Sequence, residues 1–145
     1  MEINFPKGTN QIINVHKSNN LGNLNSIHAY PETTTPEGKI YSLNKVGKKQ
    51  LNNTEKYYVY NKIHEGVCSV YYPSKDITYK INFNKDVLPY VGFWVTEGGF
   101  RGDYNCALEP TNGFYDNIPI AKENNKLFYL RKEEALNFQI CIELF

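Results

Sequence analysis

Helical periodicity is nearly absent from this chain of 145 residues. That excludes a helix bundle and a regular alternation of strands with helices. No apolar run approaches the roughly 20 residues that cross a bilayer as a helix. The N-terminus lacks a basic segment followed by an apolar one, so the reading is of a cytoplasmic chain without a membrane partner. Charge of one sign is lacking too: 16 Lys and Arg stand against 15 Asp and Glu. A balanced chain has no electrostatic footprint for nucleic acid. The adjacent basic pairs, Lys48-Lys49 and Arg131-Lys132, read as solvated faces. Cysteine is sparse and odd in number: Cys68, Cys106 and Cys141 lie far apart in apolar runs. They form neither a disulfide framework nor a metal-ligand spacing, and the expectation is three buried free thiols. No phosphate loop, no metal cluster and no Cys/His nucleophile pair is present, so no cofactor and no metal are expected.

Aromatic residues are abundant, with 12 Tyr and 8 Phe, and these favour strands. Alternation of apolar and polar residues is frequent. Ile3 and Phe5 flank Asn4, Ile12–Val15 form a second run, Ile40–Leu43 a third, and Tyr57–Tyr60 with Ile63 a fourth. Val67–Tyr72 and Ile77–Phe83 are separated by Pro73-Ser74-Lys75-Asp76, a turn sequence. Ile77, Tyr79, Ile81 and Phe83 point one way, as in a half-buried antiparallel strand. Val91–Thr96, Asn105–Leu108, Lys126–Leu130 and Asn137–Leu144 complete the predicted strands. Arg131–Leu136 reads as a loop leading into the last of them. Lys17–Lys39 is polar, with YPETTTPEG near its end, and reads as a long excursion of little regular structure. The pattern predicts one all-β domain over residues 1–145, a twisted antiparallel β-sandwich. The abundance of Asn, Lys, Ile and Tyr fits an AT-rich bacterial genome.

The most informative stretch is Val87–Asp116. It packs an aromatic strand with Tyr90, Phe93 and Trp94, a turn with Gly98, Gly99 and Gly102, and Glu109 at the end of Ala107-Leu108. A carboxylate there is either an exposed strand-end residue or a group with chemical work to do.

Leu108-Glu109-Pro110-Thr111 resembles the Leu-Glu motif of the galactose mutarotase-like (aldose 1-epimerase) superfamily. Leu88–Trp94 resembles the strand before that motif. Leu127–Leu130 followed by Glu133–Phe138 resembles the closing loop and strand, and Glu2–Gly8 a strand after the central histidine region. The resemblance implies the C-terminal half of a large twisted β-sandwich, acting on the anomeric centre of an aldose. Glu109 would be the base that takes the anomeric hydroxyl proton. The family's acid is a histidine in the first half, which nothing here matches, so weak or absent turnover is implied. A chain of this kind would pair with a companion N-terminal half or form a homodimer.

A sugar site combines an aromatic face with polar groups that hold hydroxyls. Trp94, Tyr104 and Phe100 are candidates for the first, and Glu97, Arg101, Asp103, Asn105 and Asn112 for the second. Core packing is the competing reading of Trp94, and a surface ion pair that of Arg101 with Asp103. Among the histidines, His16 reads as a strand-end residue and His64 as structural. His28, at the mouth of the long loop, is the one to consider for the sugar. The rival function is a β-sandwich that binds a sugar or a partner without catalysis.

Overall fold

A computed structural model describes residues 1–145. The chain is 42% strand and 6% helix, and its named strands all pair antiparallel. In chain order the strands are β1 Glu2–Asn4, β2 Gln11–Asn14, β3 Ile27–Ala29, β4 Glu32–Thr34, β5 Ile40–Ser42, β6 Asn53–Val59, β7 Val67–Tyr72, β8 Ile77–Phe83, β9 Tyr90–Glu97, β10 Tyr104–Thr111 and β11 Ile140–Leu144. One α-helix, α1, spans Ile118–Glu123, and a single 3-10 turn spans Lys49–Leu51. A four-stranded sheet has the order β1-β7-β8-β11 and a five-stranded sheet the order β10-β9-β6-β2-β3, with β4-β5 a separate ribbon.

The two large sheets share a core. Ile3, Val70 and Ile81 from the first meet Ile12, Tyr57, Phe93 and Val95 from the second. Strand side chains alternate between faces. In β6 and β9 the odd-numbered residues therefore point inward, and Lys56, Tyr58, Tyr90, Gly92 and Trp94 point out. In β10 the parity is reversed: Cys106 and Leu108 pack on the core, and Glu109 lies on the outer face. A second cluster, Ile13, Val15, Tyr58, Tyr90 and Phe114, covers part of that outer face. It is held there by the chain that follows β10.

Most strand expectations hold, and β7 and β8 fall where the alternation placed them, joined by a turn with Asp76 at φ 50°. Four features differ. Lys126–Leu130 is not a strand: Asn125, at φ 55°, reverses the chain after α1, and Lys126 N–H donates back to the Ala121 carbonyl. The helix itself was not expected, since six residues are too short to show a period. Its signals are Asn117, whose side chain accepts from the Ile120 N–H, and Pro119 in the first turn. The polar excursion Lys17–Lys39 contains β3 and β4, three residues each. The final strand begins only at Ile140, and all five of its residues are exposed. Cys141 is consequently an exposed thiol, not a buried one; Cys68 is buried and Cys106 partly so. Burial pushes the Cys68 thiol up to about 12. No helix is long and apolar enough to cross a membrane.

Candidate functional site

Gly92 organises the outer face of the five-stranded sheet. The register places Glu109, Gly92, Tyr58 and Ile13 in one row across β10, β9, β6 and β2. Gly92 has no side chain, so the Tyr58 ring lies flat over it; a Cβ there would collide with the ring. This lets the Tyr58 hydroxyl reach two strands along and donate to Glu109 Oε2 at 2.8 Å. Phe114 stacks on Tyr58 at 4.5 Å with an interplanar angle of 8°, and Tyr90 meets Phe114 edge-on at 5.2 Å. Lys126 Nζ lies 4.6 Å from the Tyr90 ring centre.

The charges are arranged around the same hydroxyl. Lys56 Nζ is 3.9 Å from Glu109 Oε2 and 2.7 Å from Asp116 Oδ1. Burial, and then the bond to Glu109, raise the Tyr58 phenol well above its ordinary 10.0. Tyr58 is thus a proton donor to Glu109 at neutral pH. Both contacts use Oε2, and Oε1 is free toward solvent on a side chain 31% exposed.

The structure brings part of the predicted site together. Trp94 is on the outer face in the adjacent row, between Ala107 and Lys56, and is diagonal to Glu109. It packs edge-on against Phe100 at 5.9 Å. Asn105 is on the same face, opposite Thr96. Arg101, in the β9–β10 turn at φ 53°, stacks on Phe100 at 5.0 Å and makes no ion pair with Asp103. Asn112 follows the other end of β10, in a cleft of about 380 Å³ with Tyr90 and Lys126.

Three predicted residues lie elsewhere, and the pleat is the reason. Glu97 and Tyr104 are paired in the register and occupy the inner side. Glu97, 1% exposed, accepts from the Gly47 N–H and, at 3.3 Å, from Asn53 Nδ2. Tyr104 donates to the Gly47 carbonyl at 2.8 Å. Together they clamp the segment that closes one end of the sandwich. His28 also falls on the inner side, opposite Ile12. Its Nδ1 is 3.0 Å from Thr33 Oγ1, and its Nε2 is 2.9 Å from both the Leu21 carbonyl and Ser26 Oγ. Burial lowers its pKa below the ordinary 6.5. It fastens the long loop and does not face Glu109.

Sequence reasoning missed Tyr58, Lys56 and Gly92. A glycine inside an aromatic strand signals close approach by another group, and Gly92 carried that signal. It also missed Glu55, on the inner side of β6. Glu55 is fully buried and accepts from Asn20 Nδ2 at 3.1 Å; its Oε2 and the buried His16 Nδ1 have no hydrogen-bond partner. Comparison with known proteins adds nothing to this geometry: no family model, curated protein or solved structure matches the chain.

Proposed function

We infer that the outer face of the five-stranded sheet binds a monosaccharide, with Glu109 directed at the anomeric hydroxyl of an aldose. The reading takes the sandwich as galactose mutarotase-like, on the strength of the motif Leu108–Thr111. The observation that carries it is the setting of Glu109. One carboxylate oxygen is fixed by Tyr58 and Lys56, the other has no protein partner, and Trp94 stands diagonal to Glu109 on the same face. An aromatic plate next to a fixed acceptor is how proteins hold a sugar ring and its hydroxyls.

Ring opening needs a base at the anomeric hydroxyl and an acid at the ring oxygen. Glu109 supplies the first. His28 is on the other face, His16 lies near the inward-facing Glu55, and His64 lies in a separate cleft with Lys7 and Gly8. Lys56 is held by Asp116. The arrangement favours binding over turnover, and the expected anomer-exchange rate of the chain alone is close to that of a buffer blank.

The test uses Trp94, the single tryptophan, as reporter. Aldoses should change its fluorescence in a saturable way, and Glu109→Gln should weaken that response. Where exchange above the blank is detected by polarimetry, Glu109→Gln should lower it by roughly two to four orders of magnitude. No saturable response to any aldose, or an unchanged one in Glu109→Gln, would sink the reading. Turnover of order ten per second, typical of competent enzymes, would show that a second proton carrier is present.

A further inference from the structure

β11 is unlike every other edge of the two large sheets. The β1 edge is capped, since Ile3 N–H donates to the Asn44 carbonyl at 2.7 Å. β3 is three residues long, and β10 carries Pro110, which has no N–H to offer. These are ordinary ways of blunting an edge. β11 pairs with β8 on one side and with nothing on the other. It has no proline, and its one charge, Glu143, is already matched by Lys80 at 3.6 Å and Asn82 at 2.6 Å.

Its side chains are as open as its edge. Ile140, Ile142 and Leu144 are 41%, 55% and 69% exposed, and the flanking Phe138 and Phe145 are 57% and 67% exposed. Side chains of this size present together on the order of 500 Å² of apolar surface. With the strand backbone added, that approaches the roughly 800 Å² each partner gives to a standard interface.

The ladder to β8 fixes which backbone groups are free. Phe145 and Thr78 exchange both hydrogen bonds, at 2.7 and 3.2 Å. In an antiparallel strand the bonding direction alternates. The N–H and C=O groups of Leu144, Ile142 and Ile140 therefore point to the open edge, and they are the residues with apolar side chains.

We propose that β11 pairs edge to edge with β11 of a second copy of this chain, antiparallel about a two-fold axis at Ile142. The two four-stranded sheets then become one continuous sheet. In this register Ile142 faces the partner's Ile142, and Ile140 faces the partner's Leu144. Every free backbone group of those residues finds a counterpart. Cys141 stands opposite the partner's Glu143, so no like charges meet. An axis at Glu143 would set the two carboxylates against each other, and one at Cys141 would leave Leu144 beyond the strand. The segment is complementary to itself, as an isologous interface requires.

The experiment is sedimentation velocity on the whole chain across a micromolar concentration series, with two variants. Wild type should sediment as a dimer. Ile142→Pro removes an N–H that points away from β8, so circular dichroism should stay native while the dimer dissociates. Ile142→Lys places two cations face to face and should weaken association at least tenfold, without touching the core if the proline variant misfolds. A wild-type chain that stays monomeric up to about 100 μM, or a dimer that survives both substitutions, would overturn the proposal. Monomers that bind only a different polypeptide at β11 would overturn it equally.

Discussion

The five-stranded sheet carries carboxylates on both faces, and the two faces treat them in opposite ways. Glu109 stands on the outer face with one oxygen held and the other open. Glu97 and Glu55 lie on the inner face and have no contact with solvent beyond 1%. Glu97 accepts from the Gly47 N–H of the segment it closes and from Asn53 of the neighbouring β6. Glu55 has a donor for one oxygen only. A charge fixed but left accessible is available to a ligand. A charge sealed among donors is spent on holding chain segments together. The distinction is set by which side of the pleat a residue occupies, and one position along a strand reverses it.

The sharpest test of the comparison makes the same change on both faces. Glu97→Ala leaves the Gly47 N–H without its acceptor in a closed space, and the Asn53 amide with only the Tyr41 hydroxyl. The expected cost is about 2–4 kcal/mol, since a buried donor left without its acceptor costs about 1–3 kcal/mol. Glu109→Ala strands only the Tyr58 hydroxyl on a partly open face, and about 1 kcal/mol is expected. Urea denaturation of both variants reads the difference. Equal losses would show that the two faces do not differ in the way described.

Gly92→Ala is the next largest. The added methyl meets the Tyr58 ring, which must lift, and Phe114 stacked on it must follow. A loss of about 1–3 kcal/mol is expected from overpacking and the lost bond to Glu109. The aldose response of Trp94 should weaken at the same time. Removing only the Tyr58 hydroxyl, as Tyr58→Phe, should weaken the sugar response while costing less stability. If the response survives both changes, Tyr58 does not position Glu109.

Much of the fold was legible because alternation is a local signal. β7, the turn at Pro73–Asp76 and β8 could be read directly, since Tyr79, Ile81 and Phe83 of β8 all meet the core, and only Ile77 at the strand's start stays exposed. β11 alternates just as clearly, yet its apolar side has no sheet opposite it, and no property of Phe138–Phe145 alone distinguishes the two cases. The site was half legible. Glu109, Trp94 and Asn105 share a face because their spacing suits the β9–β10 register. Glu97 and Tyr104 lie just as close in sequence and are separated from them by parity. Assigning parity required knowing that Phe93 and Val95 face the core, which two strands of similar apolarity do not declare. Tyr58 and Lys56 come from β6, more than thirty residues upstream, and only strand order brings them to Glu109.

The effect expected at Glu55 appears only as a dependence on pH. Burial raises the Glu55 carboxyl above its ordinary 4.5; contacts with Ser18, His16 and Asn20 act the other way without cancelling it. Tyr41 and Tyr57, whose phenols burial raises strongly, and Glu97 are the other titratable groups that face this cluster. A raised carboxyl binds its proton more tightly in the folded chain than in the unfolded one. Below 4.5 both states are protonated and the burial has no ionic cost. As pH rises above 4.5 the unfolded chain ionises first, so stability falls until the folded carboxyl also titrates. Glu55→Gln removes the ionisation and keeps the amide able to accept from Asn20. Its stability relative to wild type should therefore increase with pH above 4.5, by at most about 1.4 kcal/mol per pH unit for one proton. Urea midpoints for both proteins from pH 4.5 to 8 measure this. Parallel profiles would mean that His16 and the neighbouring donors satisfy the ionised carboxylate fully, and that the inner face can hold a charge at no cost.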